Sequence, residues 1–184
     1  MAPMPIPTVL VILAEGFEEI EAITPIDILR RAGAEVTVAC LGDGIHVTGR
    51  SRLTLHADVT LSAIAASRFD CVLLPGGPGV ARLRADSRVP ALIRRQAEGP
   101  GLIAAICAAP TVLMDAGILE NRRYTSHPSV ASEMPKSISS ERVVVDGSMI
   151  TSRGAGTAVD FGLMIVEKLF SHEKAAEIAR SVCA

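Results

Sequence analysis

Four short apolar runs recur along the chain with stretches of helical spacing between them, and this alternation narrows the possible folds more than any other feature. The runs are Thr8–Ala14 (TVLVILA), Val36–Cys40, Cys71–Leu74 and Leu102–Ile106. Each is continuously apolar instead of alternating with polar residues, as suits a strand buried on both faces of a parallel sheet. Between them, Ile20, Ile23, Ile26 and Leu29 keep helical spacing up to Gly33, and a second such stretch runs from Val89 to Ala97 before Gly99. Strands that alternate with helices predict a doubly wound α/β domain with helices on both faces of a mostly parallel sheet. Two hairpins are also expected. One pairs Ile45–Thr48 with Leu53–Leu55 around Gly49, at a sheet edge, and the other pairs Val143–Val145 with Met149–Thr151 across an Asp146-Gly147 turn. A last helix is predicted to bury the face of Val159, Leu163, Val166 and Phe170.

With 184 residues and no linker, repeat or low-complexity segment, the chain is read as one domain over 1–184. The balance of 18 Lys+Arg against 20 Asp+Glu gives no basic footprint for nucleic acid. No Trp, 4 Phe and 1 Tyr are too few for a base-stacking platform. The N-terminus lacks a basic n-region, and the apolar stretch Leu102–Leu119 is broken by Pro110, Asp115 and Gly117. Neither a signal peptide nor a membrane span is therefore read, and a cytoplasmic location is expected. The four cysteines, at 40, 71, 107 and 183, form no C-x-x-C pair, so neither a zinc site nor a disulfide framework is expected.

In an open α/β sheet, ligands bind outside the carboxyl ends of the strands, so the loops there carry the candidates for chemistry. Cys107 sits between an apolar strand and a helix opened by Pro110, where an elbow exposes a nucleophile and backbone N–H groups favour a thiolate. The plain alternative is a small core residue. Pro75-Gly76-Gly77-Pro78-Gly79 lets backbone N–H groups approach a ligand, or is simply a tight turn, and it lacks the Gly-Lys-Ser/Thr of a phosphate loop. Glu15, Glu18, Glu19 and Glu21 crowd the start of the first helix, where carboxylates ordinarily decorate the first turn. One of them, if buried beside a thiol, would instead hold and exchange a proton. His127, before Pro128, lies in an extended or turn segment, either at the surface or aimed into a cleft. His46, His56 and His172 show no ligand spacing. Cys40 and Cys71 fall inside strands as inert core thiols, and Cys183 adjoins the terminus.

Taken together, LVILAEGFEEIEAITPIDILRRAG, DCVLLPGGPG, GLIAAICAAPTVL, TSHPSV and ITSRGAGTAVDFGLMIVEKL resemble the ThiJ/PfpI superfamily, in the branch of the Parkinsonism-associated deglycase and its bacterial relatives. The resemblance covers nearly the whole chain. It implies a flavodoxin-like sandwich, a homodimer and a reactive cysteine that needs no cofactor. By position it implies Cys107 as nucleophile, Glu21 as the carboxyl on its sulfur, His127 as the nearby imidazole, and Gly77 and Ala108 as the oxyanion-binding N–H donors. Ala108 stands where the peptidase-like branch has histidine, which argues against a peptidase. Ala155 stands where relatives often have proline, and Arg50, Ser51 and Arg52 fall near a family arginine at the dimer contact.

Two functions of different class follow. In the first, the Cys107 thiol adds to a small dicarbonyl such as methylglyoxal or glyoxal, or to its adducts, and Glu21 and His127 move protons until a 2-hydroxy acid leaves. In the second, the same thiol is an oxidation sensor or the switch of a redox-regulated chaperone. A cysteine hydrolase or amidotransferase ranks below both.

Overall fold

The structure, a computed structural model, describes residues 5–64 and 66–184. Its strands and helices follow in the order β1 (Thr8–Leu13), α1 (Glu19–Ala32), β2 (Glu35–Cys40), β3 (His46–Thr48), β4 (Thr54–His56), β5 (Val59–Thr60), α2 (Leu61–Ile64), β6 (Cys71–Leu74), α3 (Val80–Ala85), α4 (Arg88–Ala97), β7 (Leu102–Ile106), α5 (Pro110–Asp115), β8 (Val143–Asp146), β9 (Met149–Ser152), α6 (Ala158–Leu169) and α7 (His172–Ser181). A seven-stranded sheet has the order β5-β2-β1-β6-β7-β9-β8, and only β8 runs antiparallel to its neighbour. This is the doubly wound arrangement that the alternating pattern predicts, and the flavodoxin-like sandwich that the resemblance implies.

The period of two along β1 divides its side chains between two cores. Val9, Val11 and Leu13 join α1, α6 and α7 on one face, while Leu10, Ile12 and Ala14 join α3, α4 and α5 on the other. Because both faces are covered, the central strands carry no polar alternation.

Three expectations need correction, and the helix faces sort in ways the spacing alone leaves open. The β3–β4 hairpin forms a sheet of its own and does not extend an edge. In the second hairpin Asp146 pairs with Met149, so the turn is Gly147-Ser148, with the left-handed conformation at Gly147 (φ +58°). On α1 the isoleucine series divides: Ile20 and Ile23 are 52% and 38% exposed, while Ile26 is buried with Glu19, Glu21, Ala22, Pro25, Ile28 and Leu29. On α6 the buried face is Ala158, Phe161, Gly162, Ile165 and Val166, and Val159 is exposed. Gly162 sets that rotation, since a Cβ there would lie 3.0 Å from Ile28 Cδ1 and 3.2 Å from Pro25 Cα. The two helices pack at glycine-to-proline distance, which a count of large apolar residues does not register.

Candidate active site

β7 ends at Ile106, and the chain turns at once into α5 through Cys107, which adopts the left-handed conformation at φ +66°. Its N–H donates to the Ser152 carbonyl (2.9 Å), and its own carbonyl accepts from the His127 N–H (2.8 Å). The elbow is thus fastened to the end of β9 on one side and to the His127 segment on the other. Cys107 is partly buried.

Glu21 reaches the same point from α1. It is 1% exposed, and its Oε2 accepts from the Gly76 N–H at 2.9 Å. Glu18 caps the helix by accepting the Glu21 N–H (2.8 Å), and its own N–H donates to the Gly76 carbonyl (2.9 Å). Gly76 therefore bonds to both ends of the helix entry. A Cβ on Gly76 would lie 2.5 Å from Glu21 Oε2 and 2.6 Å from Cys107 Cβ, so this glycine marks where carboxyl and thiol converge. Gly77, at φ +92°, continues the tight approach: a Cβ there would meet Glu18 N and Gly16 O at 2.7 Å.

Burial raises the proton affinity of both groups, and their effects on each other run in opposite directions. Burial raises the Glu21 carboxyl to about 7; the Cys107 thiol beside it pulls the other way, the Glu18 charge adds to the rise, and the Gly76 and Ala155 N–H groups oppose it. Burial and the Glu21 charge push Cys107 up to about 12, while the Gly77 and Ala108 N–H groups favour the thiolate without prevailing. The N–H groups at the helix start act in the direction expected, with burial and the Glu21 charge set against them.

His127 precedes the one-turn helix Pro128–Val130 and is exposed. Its Nδ1 accepts the Ser129 N–H (3.1 Å), so the neutral ring carries its proton on Nε2. A Cβ on Gly154 would sit 3.1 Å from His127 Cδ2 and 3.8 Å from Glu21 Oε1, which puts imidazole and carboxyl on two sides of that glycine. Cys107, Glu21, His127, Gly77 and Ala108 all lie around this elbow. Sequence reasoning missed Ser152 and Gly154, and it named Gly76 in the glycine-rich loop and Ala155 as a departure from the family without reading the bond each makes to Glu21. Gly76 and Gly154 were legible only as glycines next to strand ends. The N–H that Ala155 offers Glu21 is one that proline cannot supply.

The remaining glutamates do not behave alike. Glu15 accepts from Thr48 N–H (3.1 Å). Glu19, expected at the surface, is 5% exposed, and its Oε1 accepts from Ser51 N–H (2.7 Å) and, at 3.4 Å, from Leu53 N–H. Burial pulls its carboxyl upward, but the backbone N–H groups hold it below its ordinary range. Glu18→Gln and Glu19→Gln are therefore expected to differ. The first keeps a capping acceptor and removes a charge, so the Glu21 carboxyl, followed by infrared titration, shifts to lower pH. The second weakens the bonds by which a buried carboxylate holds the exposed loop of residues 51–53, and it lowers the thermal midpoint, at about 1–3 kcal/mol.

The two strand thiols are inert by position. Burial pushes Cys71 far above the ordinary thiol range, and it raises Cys40, whose Sγ donates to the Gly44 carbonyl at 2.6 Å. Cys183 is exposed, and all four cysteines are free. Among the described residues, no three or more His, Cys, Asp or Glu side chains converge as a metal centre. A cleft of about 520 Å³ lies at the opposite, amino ends of the strands, lined by Thr8, Phe69, Asp70, Gly101 and Leu102 among others, and none of the elbow residues lines it. Among the described residues no helix is long and apolar enough to cross a membrane.

This elbow lies on a chain whose residues 7–168 match the DJ-1/PfpI family model. The chain belongs to the DJ-1/PfpI family. It is 45% identical over 177 residues to Protein dj-1beta of Drosophila melanogaster, covering 94% of this chain and 95% of that one. It is 36% identical over 173 residues to the glutathione-independent glyoxalase DJR-1.2 of Caenorhabditis elegans, covering 92% and 91%. Among solved structures it is similar to oxidized Toxoplasma gondii DJ-1, with a TM-score of 0.92 and 36% identity over 96% of this chain and 98% of that one. DJ-1/PfpI membership agrees with the resemblance drawn from the loop segments.

Proposed function

We propose that this DJ-1/PfpI protein is a glutathione-independent glyoxalase or deglycase that needs no cofactor and converts small dicarbonyls, or their adducts, to 2-hydroxy acids. One observation carries the proposal: a buried carboxyl that titrates near neutrality stands against a partly buried thiol at a strand-end elbow. As sulfur attacks the aldehyde carbon of methylglyoxal, the thiol proton passes to the Glu21 carboxylate and on to the carbonyl oxygen, giving a hemithioacetal. The Gly77 and Ala108 N–H groups, which already favour negative charge on sulfur, would favour it on that oxygen too. Glu21 then removes the proton from the former aldehyde carbon and returns it to the neighbouring carbon, with Nε2–H of His127 serving the second oxygen. The oxidation of one carbon balances the reduction of the other, and the product is a thioester. Water cleaves it to lactate and restores the thiol.

Purified protein is expected to form lactate from methylglyoxal without glutathione, and Cys107→Ser is expected to abolish this. A wild-type protein with no turnover would rule out the enzyme reading for that substrate. The alternative is oxidation sensing, with the Glu21 carboxyl donating to an oxidised sulfur. It draws support from the oxidized state in which the Toxoplasma gondii relative is described. In that case peroxide would modify Cys107 while no lactate forms.

The protein is further proposed to act as a cytoplasmic homodimer, in a compartment that keeps its four cysteines reduced. α1 and α6 pack side by side, and they leave Ile20, Ile23 and Val159 at 52%, 38% and 37% exposure, an apolar surface suited to a second copy. Light scattering at micromolar concentration is expected to give twice the chain mass. A monomer there would contradict it.

A further inference from the structure

The β3–β4 hairpin brings together two histidines that are ten residues apart in sequence. His46 and His56 are directly opposite in the antiparallel register, and both are exposed. The bond from Ala57 N–H to the Ile45 carbonyl (2.7 Å) flanks the pair and makes it a non-hydrogen-bonded one, the kind in which opposed side chains stand closest. Their rings stack with centroids 4.9 Å apart and planes within 2°. Thr48 and Thr54, with hydroxyls 3.0 Å apart, continue the same outward face, while Val47 on the other face is buried. Two imidazoles held side by side across a two-stranded ribbon can act as a chelating pair.

We propose that His46 and His56 together bind one divalent transition-metal ion of the copper, nickel or zinc class, with water completing its coordination. Two imidazole nitrogens bound to one ion at about 2.0–2.1 Å in a tetrahedral array are roughly 3.3 Å apart, so binding would turn the stacked rings, whose centroids are 4.9 Å apart, about their Cβ–Cγ bonds until the nitrogens converge. Imidazole selects these borderline ions over the oxygen-seeking magnesium and calcium, and affinity rises from nickel to copper. The hairpin is bonded to the segment that leads into Glu21: Gly16 N–H donates to the Thr48 carbonyl, and Arg50 N–H donates to the Phe17 carbonyl, both at 2.8 Å. An ion that cross-links the two strands therefore stabilises the folded chain by mass action.

The test is titration of the full chain with nickel and copper by calorimetry, with magnesium as comparison, together with thermal midpoints and ring-proton NMR. The expected results are nickel and copper binding with no magnesium binding, a raised midpoint, and copper broadening of the His46 and His56 ring signals before any other. Because the second imidazole binds intramolecularly, His46→Ala or His56→Ala should each weaken nickel binding about 100-fold. His56→Phe keeps an opposed ring and the hairpin but no ligand nitrogen, and it should lose binding as fully. Cys107→Ser should bind as the wild type does. Unchanged nickel affinity in His46→Ala or His56→Phe, or loss of binding only in Cys107→Ser, would overturn the proposal.

Discussion

Glu21→Gln is expected to lower turnover of a dicarbonyl substrate by about 10²–10⁴-fold, the range for loss of a positioned proton-transfer group. The amide can still occupy the site and accept from Gly76 N–H, but it cannot take a proton from sulfur or carbon. Cys107 should still react with iodoacetamide. It should do so from a lower pH than in the wild type, because one of the two causes holding its thiol up, the Glu21 charge, is gone. Normal turnover in this variant would remove the carboxyl from the mechanism and leave a thiol-only site. Stability gives an independent reading. The folded carboxyl titrates at about 7 against 4.5 for the free group, so between those values the native state binds more protons than the unfolded one. Stability from this group is full below about pH 4.5 and falls as pH rises through 7, by of order 3 kcal/mol. The melting point of Glu21→Gln relative to wild type should therefore climb between pH 4.5 and 7 and then level off. A flat difference would mean that Glu21 is ionised throughout.

Gly76→Ala should be nearly as damaging without removing any reacting atom. The added methyl would lie 2.5 Å from Glu21 Oε2, 2.6 Å from Cys107 Cβ and 3.0 Å from the Ile106 carbonyl. Neither the strand end nor the elbow can yield cheaply, so carboxyl and thiol are driven apart. A displacement of about 1 Å between reacting groups costs on the order of 10²-fold in rate, and overpacking of this kind costs about 1–3 kcal/mol of stability. Gly156→Ala, where a Cβ meets nothing within 4 Å, is the matched control and should change neither. Steady-state kinetics and melting curves on the pair check this, and equal activity of the two variants would contradict the proposed convergence at Gly76.

Strands buried on both faces were easy to read because nothing polar interrupts them: Cys71–Leu74 and Leu102–Ile106 coincide with the observed strands. Helix faces were harder. Ile20 and Ile23 have the spacing of a core stripe, yet the helix turns Glu19 and Glu21 inward, because backbone N–H groups of other segments await both carboxylates. Such partners lie about 30 and 55 residues away and leave no mark on local periodicity. The position of Cys107 was legible from its strand and from Pro110. Its electrostatics were not, since they depend on how deeply Glu21 is buried. The Glu21, His127, Gly77 and Ala108 roles came from family resemblance, and the His46–His56 pairing came only from the register of a hairpin whose ends were misjudged by one residue.

The conformation of Cys107 has a consequence for how this position changes over time. At φ +66° a side chain other than glycine costs about 1–2 kcal/mol, so the fold by itself favours glycine here. Stability and chemistry thus select opposite residues at one site, and cysteine persists only while its sulfur is in use. In a lineage released from that demand, the elbow would drift towards glycine, gaining stability as it lost its thiol.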